Sequence, residues 1–95
     1  MSAYWVVHVD VHDTASYARY AELASGVVAA HGGEYLVRAG RYRQTEGTER
    51  ARQVIVRFPD YETALACYES PGYQEALAHA LPASTRDFVI VEGLG

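Results

Sequence analysis

Apolar and polar side chains alternate at the start of the chain. In YWVVHVDV (Tyr4 to Val11), Trp5, Val7, Val9 and Val11 fall on one face, and Tyr4, Val6, His8 and Asp10 on the other. A period of two carried by β-branched residues predicts a strand. After Asp13, a good N-cap, the period changes. Tyr17, Tyr20, Ala21, Ala24, Val27, Val28 and His31 recur at helical spacing until Gly32 and Gly33 supply a left-handed stop. EYLVRAGRY and ARQVIVRF predict the next two strands, joined by a polar hairpin connection containing Gly47. Asp60 caps a second helix, YETALACYE. Ser70 precedes Pro71 and is pushed out of helical space, while Pro71 suits the first position of a short continuation, GYQEALAHAL, that Pro82 ends. RDFVIVEG (Arg86 to Gly93) predicts the last strand.

The resulting order is βαββαβ. It is an α+β, ferredoxin-like split βαβ arrangement, with a four-stranded antiparallel sheet and both helices on one face. No repeat or linker divides residues 1–95, so a single domain is expected. Every strand carries apolar side chains on both faces, as in WVV, YLV, VIV and FVIV. Helices cover only one of those faces. The other would expose an apolar patch larger than monomers usually tolerate, so a homodimer through the sheet face is expected.

Composition narrows the function classes. No run approaches the ~18 apolar residues of a membrane span, and the start MSAYWVVHV has no basic segment, long apolar core or cleavage pattern of a secretion signal, so a cytoplasmic location is expected. The net charge of −4 gives no attraction to phosphate backbones or anionic lipid. An RNA-recognition domain shares the strand order, but its third strand needs aromatics flanked by basic residues and glycines, which ARQVIVRF lacks. All basic residues are arginines, which excludes lysine Schiff-base chemistry within this chain. Cys67, the single cysteine, lies in the apolar stretch ETALACYES without a neighbouring base and is assigned to packing.

HVDVH (His8 to His12) raises the question of a metal site. In a strand the two histidines stand about 13 Å apart at Cα, too far for one zinc ion that needs its nitrogens at about 2.0–2.1 Å, and no third ligand is evident. No metal is therefore expected. His8 and Asp10 lie on a central strand, where polar groups need partners. They are either a structural pair, or groups hydrogen-bonded across a dimer interface, or a His–carboxylate acid/base pair, the candidate catalytic residues. Arg38, in a mostly apolar strand, either clamps a ligand carboxylate or neutralises Glu46 or Glu92. Arg52 and Glu92 suggest an ion pair near strand ends. Tyr17, Tyr20, Tyr68 and Tyr73 are placed to face the sheet, with a hydroxyl or two projecting into a pocket. Arg38, Tyr73 and Glu92 are the candidate ligand-binding residues. His31 is placed to favour its helix C-terminus when charged, and His79 is read the same way.

Taken together, YWVVHVDVHD, GGEYLVRAG, TEGTERARQVIVRFPDYETALACYESPGYQEA and FVIVEG resemble the successive blocks of the DUF1330 family, within the dimeric α/β barrel superfamily. The resemblance covers nearly the whole chain and implies a ferredoxin-like protomer whose sheet packs on that of a second copy. It implies no particular reaction. Two positions depart from the family pattern: Ala39 stands where a glycine is common, and Arg57 where an acid is usual. Elsewhere in the superfamily stand cofactor-independent monooxygenases, isomerases and dehydratases. The expectation is accordingly a small-molecule enzyme without cofactor, and Arg38 suggests a pocket for a small organic acid. The alternative is a non-catalytic ligand-binding or assembly module.

Overall fold

A computed structural model describes residues 1–95. The elements are β1 (Ala3–Val11), α1 (Thr14–Ala30), β2 (Glu34–Arg38), β3 (Arg52–Phe58), α2 (Tyr61–Glu69), α3 (Pro71–Ala80) and β4 (Ser84–Glu92). They form one antiparallel sheet in the order β2-β3-β1-β4, so β1 is central. The α+β ferredoxin-like arrangement read from the sequence is the arrangement observed. No helix is long and apolar enough to cross a membrane.

Local chemistry sets the boundaries. The Asp13 carboxylate accepts the Ser16 N–H at 3.1 Å and that of Asp60 the Thr63 N–H at 2.7 Å, each satisfying an orphan donor of a first helical turn. Ser70 closes α2 in an extended conformation and caps α3, accepting the Tyr73 N–H at 3.2 Å. Gly32 takes φ +75°, the left-handed stop after α1. β4 begins earlier than its apolar run, because Ser84 and Thr85 continue the ladder against Val11 and Asp10. β2 ends at Arg38, where Ala39 takes φ +57°. The connection onward to Ala51 is exposed apart from the half-buried Arg50.

Period two on β1 sends Ala3, Trp5, Val7 and Val9 to the helices, all buried. Trp5 organises the core. Its Nε1–H donates to the Ala64 carbonyl at 3.1 Å, and its ring meets Phe58, Tyr73 and Phe88 at centroid distances of 4.9, 5.0 and 5.1 Å. Tilted and edge contacts of this kind add to the burial of the rings themselves.

The other sheet face carries no helix. Register aligns Val37, Ile55, Val6 and Val89 in one row across all four strands. Val89 is 55% and the neighbouring Val91 43% exposed. Polar residues lie to one side of this row, with Gln53, His8 and Asp87 in the adjacent register positions. At the other side Arg57 pairs with Glu34 across β3 and β2. Arg57 is thus matched by an acid on the facing strand.

Candidate functional site

Between the helix-facing side of the sheet and α1 lies a cavity of about 90 Å³. Val7, Val9, Val54 and Val56 supply its sheet side; Tyr17, Tyr20 and Ala21 supply its helix side. Into this apolar enclosure three arginines enter: Arg38, Arg52 and Arg86. No aspartate, glutamate, histidine or cysteine lines it. None of the three arginines belongs to an ion pair of the protein.

Arg86 is the inner one. It shares a strand face with Phe88 and Ile90, pointing to the core side of β4. Its Nη2 donates to the hydroxyls of Tyr20 at 2.9 Å and Tyr73 at 3.3 Å. Those hydroxyls are 2.7 Å from each other. Its Nε is sealed from solvent and has no hydrogen-bond partner. The guanidinium lies 4.7 Å from the Tyr20 ring centroid and 5.4 Å from that of Phe88. Desolvation raises both Tyr20 and Tyr73 above the ordinary phenol value, so both are neutral at physiological pH. The hydroxyl pair uses one of its two hydrogens internally, and Arg86 donates rather than accepts. One phenolic hydrogen therefore remains for another acceptor.

Arg52 and Arg38 are exposed at the cavity's mouth. Arg52, Val9 and Arg86 lie in one register row, on adjacent strands β3, β1 and β4. The Arg52 and Arg86 guanidiniums approach the same Tyr17 ring, at 5.8 and 6.0 Å. Arg38 reaches the cavity through an irregularity. The β2–β3 register shifts between Tyr35 and Val37, so Tyr35 opposes Val56, Val37 opposes Ile55 and Arg38 opposes Val54. A strict alternation would put Tyr35 and Arg38 on opposite faces. The bulge lets both line the cavity. Arg38 then stacks 4.2 Å over the Tyr35 ring and donates to the Ser25 hydroxyl at 2.7 Å.

The residues singled out in the sequence separate into two groups. Arg38 lines the cavity, and Tyr73 touches Arg86 from behind it. His8 and Asp10 lie on the opposite sheet face, as their even positions on β1 require. They do not pair with each other. His8 Nδ1 shares a hydrogen bond with the Gln53 side chain. Asp10 accepts the Ala51 N–H at 2.8 Å and pairs with Arg50 at 3.1 Å, while Arg50 also reaches Asp87 at 3.0 Å. Arg38 takes neither Glu46 nor Glu92 as a partner, and Arg52 does not pair with Glu92. Register places Arg52 opposite Val9 and Glu92 opposite Ala3, at opposite ends of β1. Glu92 is exposed and away from the cavity. His12 shares a 2.8 Å hydrogen bond with Thr85, and His31 Nδ1 one of 2.9 Å with the Val27 carbonyl at the end of α1. Burial pushes the Cys67 thiol up to about 12, which leaves it un-ionised. Arg86 was legible as an arginine in phase with Phe88 and Ile90, a basic residue on a core-facing register, but its partners were not.

Asp10 instead anchors the end of the β2–β3 connection. The Ala51 N–H and the Arg50 guanidinium hold its carboxyl below the usual range. Its unfolded value is about 3.9, so the contribution is complete above that pH and is lost as pH falls through the lower folded value. Asp10→Asn is expected to give a shallower loss of stability below about pH 4, read from urea midpoints across the acid range. An acid limb identical to that of the wild type would mean that this anchor does not contribute.

Solved structures of similar form carry this architecture. RPA0582, a protein of unknown function from Rhodopseudomonas palustris, matches with a TM-score of 0.79 at 16% identity, over 99% of this chain and 83% of that one. A dimeric ferredoxin-like protein of unknown function from Jannaschia sp. CCS1 matches at 0.76 and 14%, over 98% and 100%. SnoaB, a cofactor-independent oxygenase from Streptomyces nogalater, matches at 0.67 and 12%, over 99% and 94%. At these identities the likeness is one of fold. No curated protein matches the chain in sequence. The family model described as "Domain of unknown function (DUF1330)" matches residues 2–94, and to that family the chain belongs.

Proposed function

We propose that the protein is a homodimeric binder of a small organic acid, with one site per protomer in the cavity between α1 and the sheet. The observation that carries this reading is Arg86: a guanidinium with a sealed, unpartnered Nε, no carboxylate, and two further unpaired arginines facing the same apolar space. A buried charge is costly unless it is paired. A ligand carboxylate offers the planar, bidentate acceptor that guanidinium matches, and when Tyr73 donates to Tyr20 the cavity-lining Tyr20 hydroxyl keeps its hydrogen as a neutral donor.

Binding is favoured over proton-transfer catalysis because the lining holds no group that serves as a base near neutral pH. Chemistry at this site is confined to stabilising negative charge on the bound acid, the role of the three arginines and the neutral phenol. Dimerisation through the open sheet face is supported by its continuous apolar row and by the dimeric state of the Jannaschia neighbour.

Short aliphatic and aromatic monocarboxylates screened by thermal shift at low ionic strength test the site. A binder at a hundred times its dissociation constant stabilises the protein by about 2.7 kcal/mol. Arg86→Gln is expected to abolish the shift. If no carboxylate shifts the wild type, or if Arg86→Gln responds like the wild type, the reading fails.

A further inference from the structure

Resting on the cavity as a carboxylate site, we infer that its ligand carries two anionic groups, one at each end of a short apolar body: a small dicarboxylate or its close equivalent. Charge inventory is the first reason. Three guanidiniums and no acid face the cavity. One carboxylate pairs bidentately with a single guanidinium. A monoanion therefore leaves two like charges around an apolar space.

Placement is the second reason. Arg86 stands on β4 and Arg38 on β2, the two edges of the sheet, separated by three inter-strand spacings of about 4.8 Å each. Arg38, Val54, Val7 and Phe88 form one register row and Arg52, Val9 and Arg86 the next, so the valines Val54, Val7 and Val9 lie between the two cations, with Arg52 to one side on β3. Arg86 serves the inner end, beside Tyr20. Arg38 serves the mouth, where its polar contact is the neutral hydroxyl of Ser25 and its other donors are available.

The backbone supplies the third reason. Two uncommon features bracket Arg38: the register shift between Tyr35 and Val37, and the left-handed Ala39 at φ +57°. Bulges re-aim side chains. A non-glycine residue in left-handed space is unfavourable and tends to occur where structure serves a ligand. The register shift turns an arginine with no acidic partner toward the cavity, and the left-handed Ala39 that follows it itself lines the cavity.

Calorimetric titration at low ionic strength compares dicarboxylates from succinate to pimelate with monocarboxylates of the same carbon count, butyrate to heptanoate. The best dicarboxylate is expected to bind at least about tenfold tighter than its monocarboxylate counterpart, the size of one charge-assisted contact. In Arg38→Gln that advantage should vanish while monocarboxylate affinity stays within about twofold of the wild type. Arg86→Gln should weaken both series. Equal affinity of the two series for the wild type, or equal weakening of both by Arg38→Gln, overturns the two-anion inference and leaves the carboxylate site standing. Absence of binding by either series overturns the site itself.

Discussion

Val89→Asp is expected to convert a dimer into a folded monomer. Val89 ends the row Val37–Ile55–Val6–Val89 on the helix-free face and is 55% exposed in the protomer, so a carboxylate there meets solvent and leaves the helix-side core intact. In a two-fold symmetric interface the same substitution is present twice. An uncompensated buried charge costs about 3 kcal/mol or more. Two copies then weaken association by about 6 kcal/mol, roughly four orders of magnitude in dissociation constant. Sedimentation velocity at micromolar concentration should give twice 10.5 kDa for the wild type and 10.5 kDa for the variant. A variant that stays dimeric while a substitution on the helix side dissociates it would place the interface elsewhere. A monomeric wild type would remove the interface altogether.

Arg86→Met is expected to stabilise the unliganded protein and to abolish its response to carboxylates. Replacing a buried ion pair by apolar side chains of similar volume is often neutral or stabilising by about 1–4 kcal/mol; the half-buried Arg86 has no acidic partner to strand, and methionine adapts well to an irregular apolar space. Working against the gain are the two hydrogen bonds from Arg86 to Tyr20 and Tyr73 and its position over the Tyr20 ring. The phenols keep their bond to each other, so removal of the guanidinium leaves neither without a partner. A net gain of about 1 kcal/mol would raise the melting temperature by about 4–8 °C in a domain of this size. With saturating ligand the order reverses, because only the wild type gains the binding free energy. The rival outcome is informative. If Arg86→Met lowers stability by more than about 2 kcal/mol, the arginine is held for the Tyr20–Tyr73 network, and its lack of a carboxylate no longer argues for a ligand.

A gain of stability in Arg86→Met would accord with the rest of the cavity. Arg38 and Arg52 are unpaired at its mouth, and Ala39 occupies a conformation that glycine would adopt more readily. On the opposite face, by contrast, the charged groups are tied to one another. Arg50 bridges Asp10 and Asp87, and Arg57 meets Glu34. The difference separates charged residues tied to one another across the sheet from arginines with no acidic partner in the protomer.

The architecture was legible in the residues because it rests on local rules. Alternation in YWVVHVDV, helical spacing after Asp13 and Asp60, and the breaks at Gly32 and Pro71 each act over a few neighbours, and the four-stranded order follows from their succession. The doubly apolar strands likewise foretold the apolar row Val37–Ile55–Val6–Val89 on the helix-free face. Long-range matters were a different kind of question. His8 and Asp10 are adjacent on one face in sequence, yet their partners, Gln53 and Arg50, come from the connection and strand some forty residues on. That choice depends on the β1–β3 register, which no local pattern specifies.

The site shows the same division at its sharpest. Sequence alone determined that Arg38 is a cation within an apolar strand and that Arg86 shares the phase of Phe88 and Ile90, since side-chain direction along a regular strand follows from position. Only the tertiary structure decided that these arginines meet over one cavity. Pairing in register brought Arg52 and Arg86 to either side of Val9, and the slip between Tyr35 and Val37 turned Arg38 to the face that strict alternation would deny it. A one-residue shift reverses which side of a sheet a residue addresses, and such a shift is set by the summed fit of three strands and a helix.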